Sequence, residues 1–277
     1  MGTGNAYLRA GVSTQENGWE LPAFDQHEFE RGTRSRFVVG VPVLNEGERL
    51  RAQLRTMDQL DLGADIVVAD GGSTDGSVEP AFLRASGVRA LLVKRGPGGL
   101  SAQLRMLFAW ALRQGYEGVV TIDGNGKDGI EGVVAIREKL ECGFDFVQGS
   151  RYLRDGRHAN TPLDRHIGVR LVHAPLISLA ARFRYTDTTN GLRGWSARAL
   201  RDERVAAFRN VFETYSLHYY LSVRLPRLGY RVCEVPVERS YPERGPTPSK
   251  LKGWRARARL LRLLWRAARG GYDPPSR

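Results

Sequence analysis

The sequence holds only two cysteines in 277 residues, Cys142 and Cys233, far apart in the chain. They match no metal-ligating spacing and leave no disulfide framework, so buried free thiols in a reducing compartment are expected. Long apolar runs are missing too. No stretch approaches the length that crosses a bilayer, and the N-terminus lacks the apolar core of a signal peptide. Ala6 stands where an N-myristoylation signal wants Ser or Thr. A cytoplasmic protein is the expectation from these absences. Lysine is scarce, arginine is abundant, and the formal net charge is +12. That balance attracts nucleic acid, an anionic membrane surface or phosphorylated small molecules alike. No interleaved aromatic and basic platform marks a nucleic-acid binder, so nucleic acid is the least favoured of the three, with steeply salt-dependent binding as its signature. The apolar and charged shares are ordinary, which excludes wholesale disorder and fits one large domain with appendages.

Residues 1–35 are polar and punctuated by glycine, and read as a poorly ordered N-terminal arm or a loosely docked extension. From residue 36 short apolar runs recur: "RFVVGVPV" (36–43), "ADIVVAD" (64–70), "VRALLVK" (88–94), "GVVTID" (118–123) and "FDFVQGS" (144–150). Such runs are strands buried on both faces. Amphipathic stretches of helix length separate them, at 46–60, 75–86, 99–114 and 129–141. The alternation predicts an α/β domain, a mostly parallel sheet flanked by helices. The second half is more helical, with helices over 164–183 and 212–228, a strand over 230–238, a Pro- and Gly-rich loop over 241–250 and a basic helix from about 252 to 269.

Ligands of such sheets bind beyond the carboxyl ends of the strands. Three polar clusters fall at those ends: "PVLNEG", "ADGGSTDG" and "IDGNGKD". In the second, Ser73 or Asp75 can cap the next helix. Asp70 is not needed for that and can accept hydrogen bonds from a nucleoside, while the glycines let a backbone approach. In the third, Asp123, Asn125, Lys127 and Asp128 crowd into six residues. A turn with Asp128 as helix cap explains part of this; a divalent cation with a phosphate explains all four.

Taken in order, V-P-x-x-N-E (41–46), D-G-G-S-T-D-G (70–76), I-D-G-N (122–125), "GSRY" (149–152), "DTTNGLRGW" (187–195), "EVPV" (234–237) and "SKL" (249–251) resemble the family 2 glycosyltransferases of GT-A fold, of the dolichol-phosphate and polyprenyl-phosphate mannosyltransferase type. The resemblance runs from about residue 36 to 252. It implies a GT-A domain whose nucleotide and metal half is 36–150 and whose acceptor half is 151–252, followed by a basic amphipathic helix and tail over 253–277. It also implies an inverting, metal-dependent transfer of a sugar from a UDP- or GDP-linked donor. Pro42, Asn45, Glu46 and Asp70 would bind the donor nucleotide. The motif usually carries two adjacent aspartates, and Gly71 replaces the second here. "IDGN" sits where relatives have Asp-x-Asp holding Mg²⁺ or Mn²⁺. Asp123 supplies a carboxylate and Asn125 only a neutral amide oxygen, so Lys127 would neutralise the diphosphate or Asp128 would complete the metal shell.

By the same resemblance Arg151, Asp187 and Arg193 lie around the acceptor and donor phosphates, and Arg244, Ser249 and Lys250 in a loop that closes over phosphate. The spacing of "YPERGPTPSKL" departs from the shorter family pattern. A polyprenyl-phosphate acceptor needs little help from a base, because its phosphate is largely dianionic at neutral pH. A soluble hydroxyl acceptor needs a carboxylate base, for which Asp187 and Glu213 are the candidates. In the C-terminal helix Arg255, Arg259, Arg262, Arg266 and Arg269 form a stripe beside an apolar face of Trp254, Ala258, Leu261, Trp265 and Ala268, widened by Leu260 and Leu264. Such a helix suits the inner face of an anionic membrane, or else a terminal helix packed on its own core. The sugar, the base and the oligomeric state stay open at this point.

Overall fold

A computed structural model describes residues 18–241 and 254–275. One eight-stranded sheet organises it. The strands in it are β1 (Phe24–Glu28), β2 (Phe37–Val43), β3 (Asp65–Asp70), β4 (Val88–Lys94), β5 (Gly118–Thr121), β6 (Phe146–Ser150), β8 (Arg193–Ser196) and β9 (Val232–Pro236), in the spatial order β1-β4-β3-β2-β5-β8-β6-β9. Strands β4, β3, β2 and β5 run parallel, as do β6 and β9, whereas β1 and β8 run against their neighbours. Two short strands, β7 (Arg157–Ala159) and β10 (Glu238–Ser240), pair in parallel outside this sheet.

Along β2 the side chains alternate between two cores. Val38 joins α3 (Leu100–Arg113), α8 (Ser216–Arg227) and α9 (Trp254–Ala268) on one face. Val39, Val41 and Val43 join α1 (Glu48–Gln59), α2 (Pro80–Ala85) and α4 (Glu131–Glu141) on the other. A period-two strand covered on both faces needs apolar residues at every position, which is why its run is unbroken. Pro42 interrupts nothing. Pairing with β5 ends at Gly40–Thr121, so the missing N–H falls beyond that ladder.

Five expectations change. The two thiols are free but not buried as expected, since Cys142 is exposed and Cys233 half-buried. The N-terminal arm ends earlier than residue 35, because β1 adds an edge strand to β4, Phe24 and Phe29 are buried, and Trp19 stacks on Phe208 with ring centroids 4.0 Å apart. Residues 1–17 lie outside the described residues. The helix expected at 75–86 starts only at Pro80, whose fixed φ suits a first helical position, and its cap is Glu79 rather than Ser73 or Asp75. The helix expected over 164–183 divides into α5 (Leu163–Gly168), a wide turn over Val169–His173 and α6 (Ala174–Ala181). Pro175 explains the wide turn, since it has no N–H for an ordinary helical bond and its ring crowds the carbonyl one turn back. Finally α7 (Ala197–Arg201) and the strand β8 occupy a stretch in which the sequence suggested no regular element.

If residues 18–35 belong to the sheet, Phe24→Ala should destabilise the fold by about 3 kcal/mol in chemical denaturation. Unchanged stability would return this segment to the status of a loose arm.

Candidate active site

The three polar clusters meet at the carboxyl edge of the sheet, the first two joined by their side chains and the third tied to the first by the Gly124 N–H on Pro42 O at 3.4 Å. Asn45 has a left-handed backbone (φ 52°), which Asn tolerates better than most residues. Its N–H donates to Ser73 Oγ at 2.9 Å, and its Oδ1 accepts from the Thr74 N–H at 2.8 Å. Asp75 accepts from the Gly47 N–H at 2.8 Å. The first two motifs therefore form one structure. Asp70 is buried with its carboxylate turned into the loop, accepting from the N–H groups of Gly72 and Ser73 and from Ser73 Oγ at 2.6 Å. It shapes the loop and offers little to a ligand. Glu46 pairs with Arg49 at 3.0 Å.

Gln103 was not legible as part of this site. From α3 its amide donates to Val43 O at 2.8 Å and to Ala69 O at 3.0 Å, clamping the ends of β2 and β3. A Cβ on Gly71 would stand 3.0 Å from that amide. The absent second aspartate is thus matched by a glutamine that fills its space.

Asp123 follows β5. Because β8 is antiparallel, it begins at the same edge, and the 186–192 loop arrives beside Asp123. A Cβ at Gly191 would lie 2.4 Å from Asp123 Oδ1, so any larger residue there must displace the Asp123 side chain. Asn125 Nδ2 donates to Asp123 Oδ2 at 3.4 Å. Asp128 does not complete a metal shell. It is fully buried, and its Oδ1 accepts from Arg239 Nη1 at 2.6 Å. Arg239, from β10, also reaches Asp123 Oδ2 through Nη2 at 3.4 Å. Burial works against the Arg239 cation, but Asp128 and Asp123 outweigh it and raise its pKa. Lys127 is buried with its Nζ 5.4 Å from the Tyr241 ring, and burial lowers its pKa.

Among the described residues no three His, Cys, Asp or Glu side chains gather as a metal-holding group. The donor set fits a divalent cation only in part: Asp123, 28 % exposed, supplies one carboxylate and Asn125 one amide oxygen. Hard cations of this type also accept water and substrate phosphate as ligands, so this pair suits an ion that a bound diphosphate helps to hold.

On the acceptor half, the expectation that Asp187 is a base is corrected. Asp187 is fully buried and accepts from Arg151 Nε at 2.6 Å, and from the Thr189 N–H and Oγ1 at 3.0 Å each. Burial alone would raise its carboxyl pKa, but the Arg151 charge and these bonds hold it below the ordinary carboxylate range. Arg151 is equally buried and spends its fork on Asp187 and Thr189, at 2.8 Å to the latter. Arg193 is buried as well. It donates to the carbonyls of Thr188 and Asn190 at 2.8 Å and serves as a backbone clamp with no open face to a substrate. Glu234 of "EVPV" orders the same loop by accepting from the N–H groups of Thr186 and Asp187. Glu213 is half exposed and pairs with Arg259 of α9 at 2.6 Å, so it ties down the terminal helix. Arg244, Ser249 and Lys250 lie outside the described residues.

A cluster that the sequence did not disclose stands nearby. The rings of Tyr152, His158 and His166 lie within 5.2–5.5 Å of one another. Arg151 and Arg170 stack over Tyr152 at 5.3 and 5.8 Å. Arg165 donates to Tyr241 Oη at 3.4 Å. Burial works against ionisation of Tyr241, but Arg239 and Arg165 outweigh it and bring the phenol down to about 8. The face is electropositive.

No family profile matches the chain. It is similar to an undecaprenyl-phosphate mannosyltransferase of Micrococcus luteus, 28% identical over 220 residues that cover 79% of this chain and 88% of that one. A polyprenol monophosphomannose synthase of Mycolicibacterium smegmatis is 27% identical over 245 residues, covering 86% and 89%. Among solved structures, glucosyl-3-phosphoglycerate synthase of Mycobacterium tuberculosis, crystallised with Mn²⁺, UDP and glucosyl-3-phosphoglycerate, superposes with a TM-score of 0.60 at 17% identity, over 90% of this chain and 88% of that one. The same enzyme with Mg²⁺ and UDP gives 0.61 at 18% identity, over 88% and 81%. The shared fold is that of the GT-A glycosyltransferases.

The buried Arg151–Asp187 pair has a pH signature. Asp187 has a depressed pKa when folded, so its stabilisation is full above the unfolded carboxyl pKa and is lost as pH falls toward the folded value. Asp187→Asn should destabilise by roughly 3–5 kcal/mol at neutral pH. In denaturation series the gap to the wild type should narrow below about pH 4, by about 1.4 kcal/mol per pH unit. A gap independent of pH would show that the carboxylate form is not the stabilising one.

Proposed function

We propose that this glycosyltransferase, similar over most of its length to the family 2 polyprenyl-phosphate mannosyltransferases, moves a hexose from a UDP- or GDP-linked donor to the phosphate of a polyprenyl-type lipid, with inversion at the anomeric carbon. One observation carries the lipid acceptor. The helical segment 163–172 presents His166 and Arg170 to the Tyr152–His158 cluster and Arg165 to Tyr241, and also leaves Leu163 and Leu171 72 % exposed, with Ile167 between them. A cationic cluster beside an exposed apolar stripe matches an amphiphile with a phosphate head. Leu179, 81 % exposed on α6, lengthens the stripe.

The terminal helix supports the same reading. Its buried residues are Leu263, Leu264 and Ala267, whereas Leu261 and Trp265 of the expected apolar face point outward among Arg262, Arg266 and Arg269. The helix both packs on its own core and keeps an outward face that suits an anionic membrane surface. No helix among the described residues is long and apolar enough to cross a membrane.

In the reaction an oxygen of the acceptor phosphate attacks the anomeric carbon while the bond from that carbon to the diphosphate breaks, and the nucleoside diphosphate leaves with the electron pair. A phosphate monoester with its second pKa near 6 requires no proton removal at neutral pH. Both carboxylates considered for a base are otherwise engaged, Asp187 with Arg151 and Glu213 with Arg259. Asn45, Asp75 and Gln103 fix the donor loops, with Asp70 beneath them and Pro42 and Glu46 at the rim. Asp123 and Asn125 would hold Mg²⁺ or Mn²⁺, which would supply positive charge to the departing diphosphate. Lys127 adds a fixed cation on that side, and Arg165, His166 and Arg170 orient the acceptor phosphate.

With UDP- and GDP-sugars offered, the labelled sugar should pass to a short-chain polyprenyl phosphate and not to the corresponding polyprenol. Glu213→Gln should stay within a few-fold of the wild type, because losing a general base would lower turnover by about 10²–10⁴-fold. Transfer to the free alcohol, or a base-sized loss in Glu213→Gln, would move the assignment to a hydroxyl acceptor. Gly191→Ala, which drives a methyl group into Asp123, should lower kcat/KM about 10²-fold while the thermal melt stays cooperative. A near-normal kcat/KM would remove Asp123 from the donor site.

A further inference from the structure

The donor site carries a cation of its own. Arg239 is held on three sides: its backbone bridges to Asp128, the neighbouring Ser240 N–H donates to Lys127 O at 2.8 Å, and the Gly129 N–H donates to Glu238 O at 3.0 Å. Its Nη1 is fixed on Asp128 at 2.6 Å, and only then does Nη2 meet Asp123, at the longer distance of 3.4 Å. A guanidinium is a rigid planar fork, so anchoring one nitrogen aims the other. We propose that Arg239 is a built-in counter-ion that prevents Asp123 from holding a divalent cation alone, so that the ion is retained only together with the donor's diphosphate. This rests on the donor-site reading given above.

The charge balance supports it. Asp123 and Asp128 bring two negative charges to this corner, and Arg239 and Lys127 bring two positive ones. Asn125, on the same Asp123 oxygen, adds no charge. A hard cation is drawn to clustered anionic oxygens, and here it would meet a neutral patch with a guanidinium on the one accessible carboxylate. A diphosphate reverses the balance by supplying several anionic oxygens at once. The loose 3.4 Å contact is then the one that yields, while the 2.6 Å contact to Asp128 keeps the arginine in place. Arg239 acts through Asp123 and is therefore a positioning residue.

The test is Mn²⁺ binding to the full chain without nucleotide, followed by the magnetic resonance signal of free Mn²⁺ or by calorimetry. The wild type should show no saturable uptake in the micromolar range. Arg239→Gln should bind at least tenfold more tightly, and adding Asp123→Asn should abolish the gain. Arg239→Gln leaves Asp128 buried without its partner. The double variant Arg239→Gln with Asp128→Asn removes that charge and should show the same gain if the single variant fails to fold. Tight Mn²⁺ binding by the wild type, or unchanged affinity in whichever of these variants folds, would overturn the proposal. Titration with UDP and GDP, with and without Mn²⁺, reads the donor site separately: absence of nucleotide binding defeats the donor reading, whereas the nucleotide-free Mn²⁺ series still decides the role of Arg239.

Discussion

The reversal of β8 between β5 and β6 is the constraint on which the site depends. In a fully parallel arrangement the segment that leads into β8 would enter from the opposite edge of the sheet. Running antiparallel, β8 starts where β5 ends, so the loop 186–192 reaches Asp123 directly. A side chain at position 191 would have to displace the Asp123 carboxylate. That loop buries Leu192 in the core and is fixed by polar contacts around it: Glu234 on its N–H groups, Arg193 on its carbonyls, and Arg151 on Asp187. A buried ion pair is a poor source of net stability against an apolar replacement, because desolvation consumes most of the attraction. Its value here is geometric. Each charge has enough partners to fix one conformation, and the loop presents the same surface every time.

The same logic separates charges that build from charges that bind. Arg193, Arg151, Asp187 and Asp70 are all buried and satisfied within the protein. The guanidinium groups of Arg165 and Arg170 are at least partly open to solvent and lie over the rings of Tyr241 and Tyr152 instead of on carboxylates, with the His166 ring edge-on to Tyr152. Cations placed together without acidic partners repel, and the fold accepts that repulsion only at a modest cost because the rings offer a face to each charge. An anion entering such a cluster relieves the repulsion and gains several charge-assisted bonds, which is what makes this cluster suited to a phosphate head group.

The extent to which the sequence disclosed this follows from how local each signal is. The parallel strands were legible because burial on both faces demands continuous apolar runs, and Asp123 stood out as a candidate because ligands gather where such runs end. Strand β1 escaped because "FDQHE" commits little beyond Phe24 to the core and pairs mainly through its backbone. Strand β8 escaped because it opens with Arg193, a charge that reads as surface until its donors are seen on carbonyls. Arg239 was beyond reach for another reason. "VERS" alternates like a solvent-facing edge, and its partner Asp128 lies 111 residues earlier in the chain. The sequence motif held the carboxylates; the cation that answers them came from a different element.

Asn125 and Gly71 then fall under one explanation. At both positions an expected acidic side chain is absent, and at both the surrounding protein has taken over the space or the charge. Gln103 fills the volume beside Gly71 while tying two strand ends together. Arg239 sits against Asp123, where a second carboxylate at 125 would have left the corner net negative. On the proposed donor reading, two fewer anions and one added arginine give fixed protein cations a larger share in holding the diphosphate. Fixed cations have a physical advantage in this setting. They are oriented before the substrate arrives, so little reorganisation remains when negative charge develops on the departing phosphate.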